Sequence, residues 1–284
     1  MPHSKKFEQI MREITGALTG DSKHDIEYLN RMVQEYQEHP MGDAIIKELS
    51  RLLYNILPDG DKDNLKKAVQ QEGARLQLAV QTAMYHMKQQ KYLQAREVLS
   101  KELKRYERMY AGSGSSRVAI YCMEEPFDRT LYSFYGKEKK EFQTVEVPFA
   151  MAYYTYAIVM ERLNQAEAAR KVLDKGLRWN PFSAPLHLQR AELLGEHVDE
   201  LALLEGSKTA LLYAYKAPLV ARCFANFGKY YLNQDKDELA IGCFMVCQQY
   251  DENNESAMKG LRTAYDKTKG EVNPPSIERL KELA

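Results

Sequence analysis

Cys243 and Cys247 stand four residues apart, a spacing that puts two thiols on one face of a helix, where they could in principle hold a metal ion. The other two cysteines, Cys122 and Cys223, lie far from them, and no CxxC pair occurs, so neither a disulfide framework nor a zinc knuckle is indicated. Free cysteine most often serves as a small core hydrophobe, which is the expected role here. His86, His187 and His197 are isolated along the chain, which suits surface or core-satisfied imidazoles better than a ligand set. No GxxxxGK[ST] phosphate loop, HExxH helix, GxSxG elbow or paired-carboxylate pattern stands out. The sequence therefore predicts no catalytic residue, no metal and no cofactor, and a protein that is not an enzyme.

The 284 residues include 40 Lys and Arg against 40 Asp and Glu, so no global field draws the chain to nucleic acid or to an anionic membrane. The N-terminus, MPHSKKFEQIMREI, has no continuous apolar run, and no stretch approaches the ~20 apolar residues of a membrane span. A cytoplasmic location is expected. The hydrophobic share of 44% is enough to build a real core.

Candidate elements follow from periodicity. Phe7, Ile10, Ile14 and Leu18 trace a short amphipathic helix that stops at Gly20, and Asp21-Ser22 suits the start of a second, with Ile26, Leu29, Val33 and Tyr36 on one face. A third carries Ile45, Leu49, Leu52 and Ile56 and ends at the Pro58-Asp59-Gly60 turn. Longer helical patterns run over about 61–90 and 92–110, where AGSGSS interrupts them. Residues 111–148 read as an irregular insertion, with an extended RVAIYCM segment and one short helix between Pro126 and Gly136. Beyond Pro148 the pattern is helical to about 267, with breaks near 180, 195, 218 and 235. The tail, 269–284, is charged around Pro274-Pro275 and has room for one further short helix.

The breaks mark a repeat. Aligning Ala150 with Ala221 places Tyr153, Tyr156, Ala157 and Met160 over Phe224, Phe227, Gly228 and Tyr231, then Ala169 over Ala240 and Leu173 over Phe244. Large residues in this order around small ones, with Pro181 closing the first unit, resemble the tetratricopeptide repeat, a 34-residue helical hairpin. A fainter unit begins at Leu76, with Ala79, Thr82 and Ala83, then Tyr92, Ala95, Leu99 and Leu103. The 71 residues from 150 to 221 exceed two units by three, so a degenerate hairpin, with Ala191 and Ala210 at small positions, is expected between them. The chain is also similar to a group of cytoplasmic tetratricopeptide proteins of Gram-positive bacteria.

The expected fold is all-α, a helical-hairpin solenoid with a partly extended insertion. Its parts are an N-terminal cap or divergent repeats (1–75), a hairpin (76–110), the insertion (111–148), three hairpins with the middle one degenerate (149–268), and the tail (269–284). The resemblance implies a concave groove lined by the first helix of each unit. By register this groove takes Met151, Tyr154, Ile158, Glu161 and Arg162 from one unit, and Arg222, Ala225, Lys229, Leu232 and Asn233 from another, with Asn226 beside them. Such a groove implies a protein or peptide partner, and Arg222 and Lys229 suit a segment with an acidic or C-terminal carboxylate group. The Lys-Asn clamp by which some family members hold chaperone tails is absent, because Val80, Met84 and Thr155 occupy matching places.

The second functional reading is a repeat-containing regulator acting on nucleic acid or on the transcription machinery. Residues 1–60 hold seven Lys and Arg against ten Asp and Glu, which disfavours a duplex-binding helix there, so no nucleic-acid partner is expected. Tyr132 and Tyr135 in the insertion are candidates for a self-association face and hence a homo-oligomer.

Overall fold

The computed structural model describes residues 5–36, 39–110, 118–125, 127–136, 141–145, 147–273 and 275–276. The expected short helix in the last residues of the tail lies outside them. The chain divides into two compact units, 1–72 and 73–284, and the division falls inside one helix.

In the first unit α1 (Lys5–Gly16), α2 (Ser22–Glu35) and α3 (Gly42–Ile56) enclose a small core of Met11, Ile14, Leu29, Ile45 and Leu49. Asp21 caps α2 by accepting from the His24 N–H at 2.9 Å. Asp25 is buried, and its carboxylate accepts from the Thr19 and Gly20 N–H groups at 2.8 and 2.9 Å and from the Thr19 hydroxyl at 2.9 Å. Those bonds fix the turn between α1 and α2, where Gly20 takes a φ of 85°. The bond from Thr19 is the main influence that holds the Asp25 carboxyl below its ordinary pKa.

The second unit is a helical-hairpin solenoid. It begins within α4 (Asp59–Lys88) and continues through α5 (Tyr92–Met109), α7 (Phe149–Arg162), α8 (Ala166–Trp179), α9 (Ala184–His197), α10 (Glu200–Tyr213), α11 (Ala217–Asn233), α12 (Asp237–Tyr250) and α13 (Glu255–Thr268). From α7 onward each helix packs mainly on a neighbour in sequence.

Three of the hairpin turns share one backbone solution. Gln90, Asn164 and Asp235 all adopt the left-handed conformation, with φ of 57°, 57° and 56°. After each, an N–H returns to a carbonyl of the preceding helix: Lys91 to His86, Gln165 to Met160 and Lys236 to Tyr231, all at 2.9 Å. These three residues hold the same position counted from Leu76, Ala150 and Ala221, so the repeat seen in side-chain size is also a repeat of backbone geometry. In the middle hairpin the equivalent Val198 has a φ of −128°, although the Asp199 N–H still reaches Leu194 O at 3.0 Å.

Close packing inside each hairpin depends on small residues. Ala157 and Ala169 are fully buried at the crossing of α7 and α8. The middle hairpin reverses the arrangement, because Leu203 of α10 stands where α8 has Ala169. Gly195 of α9 accepts it: a Cβ on Gly195 would lie 2.6 Å from that of Leu203, and one on Gly206 would lie 2.6 Å from that of Ala191. The three residues beyond two full units lie at the start of α11, which has 17 residues where α7 and α9 have 14.

The insertion contains β1 (Val118–Tyr121), α6 (Asp128–Tyr135) and β2 (Glu141–Thr144), with β1 and β2 paired in parallel. It follows the rim where first helices begin and second helices end. The Cys122 N–H donates to Trp179 O at 2.8 Å, Asn180 Nδ2 donates to Asp128 at 2.9 Å, and Lys216 pairs with Glu125 at 2.6 Å. Tyr132 meets Phe182, Tyr135 meets Tyr213, and Phe127 meets Tyr215, with ring centroids 4.9–5.9 Å apart. α7 has no side-chain cap from its own Pro148, and Glu124 of the insertion supplies one by accepting from the Met151 N–H at 3.1 Å.

At the end of the array, Phe244 of α12 fills the space left by Gly228 of α11 and Gly260 of α13, and a Cβ on either glycine would collide with its ring. Gly228→Ala gains about 1 kcal/mol of helix propensity, yet overpacking costs about 1–3 kcal/mol. Urea unfolding should therefore show the variant to be less stable than the parent. A more stable variant would mean that Phe244 does not occupy that space.

Candidate binding groove

Three first helices, α7, α9 and α11, form the wall of interest. α9 touches both α7 and α11, whereas no comparable contact joins the second helices α8 and α10 or α10 and α12. Like helices thus approach one another on the side of the first helices, and α7 and α11 carry every residue expected to line a groove.

The structure sorts those residues into two groups. Met151 is 48% exposed at the start of α7, and Arg162, Lys229 and Asn233 are also exposed. Arg162 and Lys229 make no ion pair among the described residues, while Asn233 donates to Glu200 Oε1 at 2.9 Å. Ile158 is half-buried. The second group, Tyr154, Arg222 and Asn226, is drawn into a polar network that ties the three helices together.

Arg222 is the centre of that network. Its guanidinium grips Glu192 of α9 with two nitrogens, Nε at 2.7 Å from Oε1 and NH2 on Oε2. It also donates to Gln189 Oε1 at 2.7 Å and to the Tyr154 hydroxyl at 3.2 Å. Burial works against the charge, but the bonds and charge of Glu192 outweigh it and hold the Arg222 pKa above its ordinary value. Asn226, only 7% exposed, donates to Glu192 Oε1 at 3.1 Å and to the Ser207 hydroxyl at 3.0 Å. The expectation of an open arginine ready for a partner's carboxylate is thus corrected, because α9 already supplies that carboxylate. Glu192 and Gln189 escape notice in the sequence because they sit in the hairpin that matches the repeat least.

Glu161 is placed differently. Its Oε2 accepts from Gln189 Nε2 at 2.6 Å, and among the described residues no cation is bonded to it. Burial is the main cause that raises its pKa; Glu192 and Glu196 add to the rise, while the Gln189 bond and Arg162 oppose it.

Other candidates have settled roles. Cys243 and Cys247 are both buried in the core shared by α11 and α12, and burial pushes the Cys243 thiol up to about 12. Cys122 is buried too, with its thiol donating to Val147 O at 2.7 Å. Tyr132 is packed among Tyr121, Phe142 and Phe182, while Tyr135 remains 43% exposed. Among the described residues no helix is long and apolar enough to cross a membrane. The sequence matches no family model, and no curated protein is similar to it.

Two measurements probe the network. Glu192→Ala strands the Arg222 guanidinium and should cost about 1–3 kcal/mol or more in urea unfolding. The double change Glu192→Leu with Arg222→Met should cost less than that single change, since no unpaired charge remains. For Glu161 the folded pKa lies above its ordinary 4.5, so the folded state holds the proton more tightly and stability falls as pH rises through that window. Glu161→Gln should accordingly raise the melting temperature at pH 7, with the gain shrinking toward pH 4. A lower melting temperature at pH 7 would show that the charge stabilises the wall.

Proposed function

We propose that this chain is a non-catalytic scaffold of tetratricopeptide type, working in the cytoplasm, that binds a protein or peptide segment along the inner wall of its solenoid. The observation that carries the reading is the exposed Met151 beside half-buried Ile158 on α7, a first helix of the array. Stacked hairpins offer an extended surface suited to peptides and partner helices, and the common turn at Gln90, Asn164 and Asp235 supports the family assignment. The regulator reading gains no support from the first unit, whose sequence is acidic.

A test should leave the Arg222 network intact. Met151→Glu combined with Lys229→Glu changes two exposed side chains on the wall and should preserve the melting temperature within a degree or two. Affinity capture from cell extract should lose a specific partner in this variant. If the folded variant captures the same partner with undiminished yield, the inner wall is not the binding surface.

A further inference from the structure

The wall carries a stripe along α7 in which apolar character changes to negative charge: Met151, Tyr154, Ile158, then Glu161. The balance of charge around its acidic end follows from the pairings. Arg222 and Glu192 neutralise each other in a two-nitrogen contact. That leaves Glu161 and Glu196 with Arg162 as the nearby cation, while Lys229 stands on α11, beyond α9. Among the described residues, the hydrogen-bond donor to Glu161 is the neutral amide of Gln189, at 2.6 Å. A half-buried carboxylate with like charges around it and no cation on it has an unmet electrostatic demand, which a cation brought from outside would satisfy.

We propose that the wall selects a peptide segment carrying lysine or arginine, whose cation pairs with Glu161 while an apolar side chain of the same segment covers Met151 and Ile158. This rests on the peptide-binding reading above and reverses the charge that the sequence alone suggested for the partner. Ten residues of helix separate Met151 from Glu161, or about 15 Å. An extended segment at about 3.3 Å per residue spans that distance in four or five residues. The recognised pattern is therefore an apolar residue followed or preceded, about four positions away, by a cation. Glu161 is raised in pKa by its surroundings, so binding a cation should lower it and be weaker in acid.

The test uses the full chain and fluorescence polarisation with four pools of short, dye-labelled, end-blocked peptides. All carry a fixed leucine, and four positions away the pools carry lysine, arginine, glutamate or alanine. The lysine and arginine pools should bind about tenfold more tightly than the glutamate pool. That preference should shrink in Glu161→Gln, with folding verified by circular dichroism, and should weaken with added salt. Equal or tighter binding of the glutamate pool, or a preference unchanged in Glu161→Gln, overturns the assignment of a cation to Glu161. In that case sensitivity of the surviving binding to Met151→Glu shows that the groove itself stands. Binding by no pool, or binding indifferent to Met151→Glu, overturns the groove and the cation site together.

Discussion

The close approach of helices at small residues is the constraint on which the solenoid depends. Two helices settle within a hairpin only where one offers little side chain, and each hairpin meets that need with different atoms. Ala157 and Ala169 serve α7 and α8; Gly195 and Gly206 serve α9 and α10; Gly228 receives Phe244 between α11 and α12. Phe244 then reaches Gly260, so a single ring sets the distance to α13 as well. Because interiors of this density transmit displacement rather than absorb it, the placement of the inner wall follows from these contacts.

The alternation of large and small side chains made most of this legible. Ala150 and Ala221 fall in register in the sequence, and the left-handed turns at Asn164 and Asp235 confirm that register in the backbone. The middle hairpin was harder to read because the requirement is for a small pair at a crossing, not for a small residue at a fixed position. Leu203 breaks the pattern and Gly195 restores the space, an exchange that a position-by-position comparison scores as two mismatches. The three extra residues were likewise visible only as a length. Their place at the start of α11 depends on how that helix meets the rim, which no local pattern records.

The insertion shows the same limit on a longer scale. Its extended and helical parts follow from composition, but its task lies in partners far along the chain. Glu124 completes the N-terminus of α7, Asp128 accepts from Asn180 after α8, and Glu125 reaches Lys216 before α11. Phe127, Tyr132 and Tyr135 meet Tyr215, Phe182 and Tyr213 along the same edge. One segment thus bridges the rims of three successive hairpins. By fixing the starts of α7 and α11 it constrains the spacing between the helices that present Met151 and Arg222.

Assigning charges to a groove by repeat position treats each side chain as if it faced solvent alone. Arg222 shows why that fails: its position is a groove position, yet a carboxylate 30 residues earlier, on the neighbouring first helix, occupies it. Once Glu192 is counted against Arg222, the basic character expected there is cancelled, and Glu161 and Glu196 stand with Arg162 at the other end of the wall. The division between residues that hold the wall and residues left for a ligand is therefore set by cross-helix pairing. Tyr154, Arg222 and Asn226 spend their polar groups on joining α7, α9 and α11, whereas Met151, Arg162 and Lys229 have no such duty. A carboxylate like Glu161 falls between the groups, held in place by Gln189 but with its charge uncompensated. An internal cation there would complete the network; among the described residues none is bonded to it, and the proposed recognition of a lysine or arginine rests on that difference.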